Sequence, residues 1–225
     1  MKINHPLVKG IIKEVKPNIY CVLVDDNYDR AMLFCRYQEF YESQYKRFRG
    51  KYFTWAQYMR FYKDAWKKDT FTYPIDWSGY NIPCNIVQKA HHMFCGETEY
   101  DDIMNDIYFH CSNASFKKDN KSVDWYLIGA SSKDLRTLDH EIAHGLYFIN
   151  PDYKKKMNKL VNGIPEKTRD KIFKKLIKMG YVNDKKILFD ETQAFLSTGL
   201  YNGLDTKEIK KHEKDFIKVF KEFSK

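Results

Sequence analysis

Residues 131–149 read SSKDLRTLDHEIAHGLYFI, and this stretch allows the firmest predictions of fold and chemistry. Its apolar residues recur at spacings of three and four, the pattern of an amphipathic helix. These residues are Leu135, Leu138, Ile142, Leu146 and Ile149. The segment opens with a run typical of a helix start, in which Asp134 stands three residues after Ser131. Asn150-Pro151 then predicts the end of the helix.

His140 and His144 lie four residues apart, so on a helix their rings lie one above the other and can bind one metal ion from the same side. Glu141 follows the first histidine, and its carboxylate can take a proton from a metal-bound water. Multiplying the frequencies of histidine and glutamate in this chain gives roughly 0.01 chance matches to the pattern. Two inert, hydrogen-bonded histidines are therefore the weaker interpretation.

A catalytic zinc usually has three protein ligands and one open position, so one further ligand must come from another segment. A third histidine six residues after His144 is excluded, because Asn150 occupies that position. The other known arrangement takes a glutamate from a second helix further along the chain, and residues 187–198 read as such a helix.

Glu191 is our prediction for this third ligand. It shares a helix face with Ala194 and Phe195, where burying a carboxylate is unfavourable unless it is paired or binds a metal. Asp190 is the alternative ligand, or else it accepts the N–H of a ligand histidine. The simpler alternative is that Glu191 is an ordinary surface glutamate without a functional role.

The pair of motifs His140-Glu141-x-x-His144 and Asp190-Glu191-x-x-Ala194-Phe195 resembles the zincin metallopeptidases, in the gluzincin branch whose third ligand is a glutamate. The resemblance covers about residues 125–150 and 187–200, roughly a fifth of the chain. It implies an α+β, zincin-like fold with a small N-terminal sheet and helices, then the motif helix. A helical C-terminal part would supply the third ligand.

The resemblance also implies a reaction, the zinc-dependent hydrolysis of peptide bonds in a peptide or protein substrate. One Zn²⁺ per chain would be held by His140, His144 and Glu191. Glu141 would act as general base towards the attacking water and then pass the proton to the leaving amine. The side chain that stabilises the oxyanion stays open between three candidates. These are Tyr147, Tyr201 and His212.

In zincins a sheet precedes the motif helix, and its edge strand pairs with the extended substrate. Residues 122–130 read SVDWYLIGA, a strand-like run that ends just before the helix start. We therefore expect this run to be the edge strand, although a core strand fits the same residues equally well.

Two other functions fit the sequence. The first is a catalytically inactive zincin-like protein that binds a partner through its basic surface, and the second is a zinc hydrolase of a non-peptide amide. The net charge of +9 permits an acidic partner such as nucleic acid. The lysine clusters lie on helices with apolar stripes, however, so solvated helix faces explain most of them.

With 225 residues, the chain is expected to form a single zincin-like catalytic domain, with an α/β part in 1–150 and a helical part in 151–225. Neither a transmembrane segment nor a secretory signal is expected. The five scattered cysteines favour reduced thiols and a cytoplasmic location. A second metal site is a minor alternative, because its spacing fits no structural zinc pattern closely. It would use Cys95, Cys111, His91, His92 and His110.

The remaining segments predict two strands within 7–24, a polar loop at 112–122, and a series of helices. The helices are expected at 29–47, 54–68, 83–94, 151–161, 165–179, 187–198 and 205–223. Residues 100–110 are expected to begin as a helix and to continue as a strand or a helix end. The aromatic side chains of the first two helices are expected in the core rather than on a ligand-stacking surface. For the last helix we favour packing on the protein body over binding to a membrane surface.

Overall fold

In a computed structural model that describes residues 1–119, 123–200 and 203–225, these ranges form five strands and eleven helices. The prediction of an α+β chain is confirmed. The chain divides into two compact units, Met1–Leu138 and Asp139–Lys225. The boundary between the units lies before residue 150, where the α/β part was expected to end. His140 and His144 therefore belong to the second unit, with the helices that follow them.

The first unit contains a sheet with strand order β1-β2-β3-β5-β4. The strands are β1 (Lys2–Asn4), β2 (Lys9–Lys16), β3 (Ile19–Leu23), β4 (Tyr80–Pro83) and β5 (Tyr126–Ala130). Neighbouring strands are antiparallel except for β3 and β5, which are parallel. The two strands expected within 7–24 are confirmed as the β2–β3 hairpin, where Asn18 adopts φ 60°, a conformation that asparagine tolerates better than most residues.

The expectation that residues 122–130 form an edge strand is wrong. Within the described residues, β5 lies between β3 and β4, and all five of its residues are buried. A strand paired on both sides has no free backbone groups to offer a substrate. The apolar run YLIGA suits a strand buried on both faces, which the sequence alone could not separate from an edge strand. Ser122, the first residue of the run, lies outside the described residues.

Five helices complete the first unit: α1 (Asn27–Glu42), α2 (Trp55–Trp66), α3 (Tyr73–Asp76), α4 (Cys84–Phe94) and α5 (Glu99–Asp119). The polar loop expected at 112–122 is wrong for residues 112–119, which continue α5. A capping box between Thr54 and Gln57 starts α2. The aromatic side chains of α1 and α2 are largely core, as expected. Phe40 of α1 packs edge-on against Phe94, for example, and Tyr58 of α2 packs edge-on against Phe48.

The motif helix α6 (Leu135–Ile149) crosses the boundary between the units. The second unit continues with α7 (Pro151–Gly163), α8 (Glu166–Lys178), α9 (Lys185–Thr198), α10 (Lys207–Lys210) and α11 (Glu213–Phe223). The side chain of Asn150 accepts hydrogen bonds from the N–H groups of Asp152 and Tyr153, so α7 begins directly after α6 ends. Asp184 caps the start of α9 in the same way.

The C-terminal helix α11 packs against α7 and α9 and buries Phe216 and Phe220, which confirms the packing we favoured. Across the described residues, no helix combines the length and the apolar character needed to cross a membrane. The five cysteines are free thiols.

Candidate metal centre

Asp134 starts the helix that carries the motif. Its carboxylate accepts hydrogen bonds from the backbone N–H and the hydroxyl of Thr137, at 3.0 and 2.6 Å. Before it, Asp25 accepts hydrogen bonds from the Ser131 hydroxyl and from Ser132. The cap is therefore Asp134 rather than the first serine of the run, and it fixes the helical phase of the motif residues.

The structure brings His140, His144 and Glu191 together in one buried group that could hold a metal ion. The two Nε2 atoms of the histidines lie 3.2 Å apart. Glu191 places one carboxylate oxygen 3.7 Å from Nε2 of His140 and the other 3.5 Å from Nε2 of His144. The three side chains therefore point at one small volume.

Glu191 reaches this volume from the second turn of α9 and is only 3% exposed. Its Oε2 atom is buried and accepts no hydrogen bond within the described part of the chain. A buried carboxylate oxygen without a donor is unfavourable unless something else compensates its charge. This position is not that of an ordinary surface glutamate.

Asp190 fixes the ring of His144. Its Oδ1 atom lies 2.9 Å from Nδ1 of His144, and because a carboxylate only accepts, the Nδ1 atom must carry the hydrogen. Of the two roles considered for Asp190, the geometry corresponds to the acceptor for a histidine N–H. Although burial opposes the charged ring, the nearby carboxylates of Asp190, Glu191 and Glu141 raise the pKa of His144 well above its ordinary value.

His140 has a weaker but similar partner. Its Nδ1 atom lies 3.4 Å from the hydroxyl of Thr198, which itself donates to the carbonyl of Ala194 at 2.8 Å. Because that hydroxyl hydrogen is already used, the hydroxyl can only accept from the ring, which places the hydrogen of a neutral His140 on Nδ1. The ring of Phe195 packs edge-on against the His140 ring, with 4.7 Å between their centroids.

These contacts direct the lone pairs of several acceptor atoms towards the centre of the group. When both rings are neutral and protonated on Nδ1, their Nε2 atoms face each other and the Glu191 carboxylate with lone pairs only. These lone pairs and the carboxylate charge repel one another unless a proton or a metal cation lies between them. The arrangement is thus suited chemically to bind a cation.

Glu141 lies on α6 between the two histidines and is 4% exposed. It directly follows His140 on the helix, and its negative charge is one of those that raise the pKa of His144. A buried carboxylate next to this cluster is placed to exchange a proton with a molecule bound there.

Of the three oxyanion candidates, Tyr147 is buried and donates its hydroxyl to Asn158 at 2.6 Å. His212 stands at the start of α11, and Tyr201 lies outside the described residues. Sequence reasoning missed Gln193 and Thr198, whose side chains contact Asp190 and His140 respectively. Gln193 lies three residues after Asp190, and Thr198 lies seven residues after Glu191, so on a helix each shares a face with that carboxylate. This spacing was the sequence signal that could have identified them.

The second metal site is not supported. Over the described ranges, the one group of three or more candidate ligands is His140, His144 and Glu191. Cys111 is buried while Cys95 is exposed. His91 stacks on Tyr108 of α5 instead, with 5.0 Å between the ring centroids.

Searches against models of protein families, curated proteins and solved structures found no match to this chain.

Proposed function

We propose that this chain is a zincin-like, zinc-dependent metallopeptidase that hydrolyses peptide bonds. His140, His144 and Glu191 would hold one Zn²⁺ per chain, and Glu141 would act as the general base. The observation that carries the proposal is the buried group of two imidazole Nε2 atoms and one carboxylate, all facing one point.

The spacing of this group supports binding of a tetrahedral metal ion such as zinc. Ligand atoms about 2.0–2.2 Å from a zinc ion at tetrahedral angles lie about 3.3–3.6 Å from one another. The two Nε2 atoms lie 3.2 Å apart, and each lies 3.5–3.7 Å from a different oxygen of Glu191. One ligand atom from each of the three residues lies within 4.8 Å of the others, so the Glu191 carboxylate would shift to bring one oxygen to an ion held by both rings.

The composition of the group favours catalysis over a structural role. Structural zinc sites usually have four protein ligands, whereas catalytic sites have three and keep one position for water or substrate. The candidate group within the described residues has three members. When bound, zinc would lower the pKa of a water to about 7 and polarise a substrate carbonyl.

The side chains of this chain would carry the proton transfers. Glu141 would take the proton of the attacking water and then deliver it to the nitrogen of the leaving amine. Asp190 would hold His144 with its hydrogen on Nδ1, so that Nε2 stays available as a ligand. Because Glu141 and Glu191 are buried, their charges would act more strongly on a bound substrate than they would in bulk water.

The experiment uses the full chain loaded with zinc, together with Glu141→Gln and His144→Ala. Zinc is measured by elemental mass spectrometry, and hydrolysis is followed on a peptide library by mass spectrometry. We expect about one zinc per chain in the wild type and in Glu141→Gln, with hydrolysis only in the wild type. His144→Ala should lose most of the zinc.

Other outcomes separate the rivals. Zinc binding with peptide cleavage that Glu141→Gln leaves unchanged would point to a contaminating protease, and zinc binding without cleavage would favour the inactive binding protein. Cleavage of small amides but of no peptide would favour the non-peptide hydrolase. A wild-type protein that takes up no zinc would refute the proposal altogether.

A further inference from the structure

A chain of three hydrogen bonds runs from α7 through α9 to the ring of His144. The hydroxyl of Tyr153 donates to Oε1 of Gln193 at 2.8 Å. Nε2 of Gln193 donates to Oδ1 of Asp190 at 2.9 Å, and the same Oδ1 lies 2.9 Å from Nδ1 of His144. Both Tyr153 and Gln193 are completely buried.

The orientation of the Gln193 amide follows from its neighbours. Its nitrogen faces two groups that can only accept, the carboxylate of Asp190 and, at 3.3 Å, the carbonyl of Ala143. Its oxygen faces the hydroxyl of Tyr153, whose hydrogen is then free to be donated. The reverse orientation would set an amide oxygen against two acceptors, so this one is strongly favoured.

Asp190 needs a hydrogen-bond donor that keeps its carboxylate facing His144. Its side chain is 21% exposed, so the carboxylate could otherwise turn towards water. Gln193 binds the oxygen that faces His144 and also the Ala143 carbonyl, in the residue next to His144. The Gln193 amide thus fixes both the Asp190 carboxylate, which accepts from the His144 ring, and the backbone carbonyl next to His144.

We infer that Gln193 and Tyr153 are positioning residues, which hold Asp190 so that the His144 ring presents Nε2 to the metal. This inference rests on the proposed function. Neither residue touches the three ligand atoms, and both act through Asp190. Glutamine is suited to position 193 because a glutamate there would place a second negative charge against Asp190 and leave the Ala143 carbonyl without this donor.

The test compares the wild type with Gln193→Leu, Tyr153→Phe and the double variant Tyr153→Phe/Gln193→Leu. The double variant removes both partners of one buried hydrogen bond, which is less destabilising than leaving one partner unsatisfied. Thr192→Val is the matched control, because Thr192 is also fully buried on α9 and its hydroxyl donates to the Leu188 carbonyl rather than to any group of the metal centre among the described residues.

Two quantities are measured in each protein. The first is zinc affinity by competition with a chelator, and the second is the exchange rate with water of the His144 Nδ1 proton by NMR. The proton is present on a neutral ring hydrogen-bonded to Asp190 and on a charged ring, so it can be followed with or without zinc. Thermal melts confirm that each variant is folded at the temperature of measurement.

We expect Gln193→Leu and the double variant to lose about 10–100-fold in zinc affinity, the usual effect of removing an outer partner of a ligand. The His144 Nδ1 proton should exchange faster in both, with a smaller change in Tyr153→Phe. Thr192→Val should match the wild type in both measurements, whatever its melting temperature.

Unchanged affinity and unchanged exchange in a folded double variant would overturn the inference and leave the proposed function intact. If the wild type takes up no zinc, the proposed function fails, and with it the metal-directed role of these residues. Faster exchange in the double variant would then show only that Gln193 holds Asp190 against His144.

Discussion

Replacing Glu191 by glutamine should make the metal-free protein more stable and the zinc-loaded protein less stable than the wild type. In the metal-free site the carboxylates of Asp190 and Glu191 lie 2.9 and 3.5 Å from the ring nitrogens of His144, which carries at most one positive charge. The Oε2 atom of Glu191 is buried without a hydrogen-bond donor. Glutamine removes one of these buried charges, and its amide can donate to Nε2 of His140.

The size of the effect follows from that unsatisfied oxygen. An unpaired buried polar atom costs about 1–3 kcal/mol, and each kcal/mol shifts the melting temperature of a chain of this length by roughly 2–4 °C. Glu191→Gln should therefore raise the melting temperature in chelator by about 2–12 °C. Zinc at about 100 times its Kd should add about 2.7 kcal/mol to the wild type and little to the variant.

The assay is differential scanning calorimetry of both proteins, in chelator and in excess zinc. Glu222→Gln is the control for loss of one negative charge, because Glu222 forms an exposed pair with Lys156 and should change stability by less than about 0.5 kcal/mol in either condition. If Glu191→Gln were less stable than the wild type in chelator, Glu191 would be a structural ion-pair partner, and the reasoning would be refuted.

Three further predictions concern the first unit. The pKa of Asp25 is lowered to about 2 by hydrogen bonds from Ser132 and Ser131, so its contribution to stability is present above the ordinary value of 3.8 and lost as the pH falls towards 2. Urea midpoints measured across that interval should fall less steeply in Asp25→Asn. Arg36→Ala should lower the free energy of unfolding by about 3–5 kcal/mol in urea titrations, because it leaves its buried ion-pair partner without compensation. Gly129→Ala should lower the same quantity by about 1–3 kcal/mol, since the added Cβ would lie 2.5 Å from the buried ring of Phe34.

The local elements could be predicted from the sequence because their signals are local. The spacing of apolar residues placed α6, and the short apolar runs placed the β2–β3 hairpin. The proximity of Glu191 to the two histidines was also anticipated, because a carboxylate on an apolar helix face needs a partner.

The position of β5 could not be predicted, because strand pairing joins residues far apart in sequence. Ile19 pairs with Tyr126 across more than a hundred residues, and nothing within residues 122–130 specifies how many neighbours that strand has. The hydrogen bond of Gln193 to the carbonyl of Ala143 was missed for a related reason. Side-chain partners on a second helix depend on how the helices approach each other, which periodicity does not reveal.

The most direct test of the central claim is a crystal structure of the zinc-loaded protein with anomalous diffraction measured at the zinc edge. We predict one anomalous peak per chain, about 2.0–2.2 Å from Nε2 of His140, Nε2 of His144 and a carboxylate oxygen of Glu191. The Nδ1 atom of His144 should remain bonded to Asp190 in that structure. A map without a peak at this position, in which the two histidine rings share a hydrogen bond instead, would contradict the claim that these residues form a zinc site.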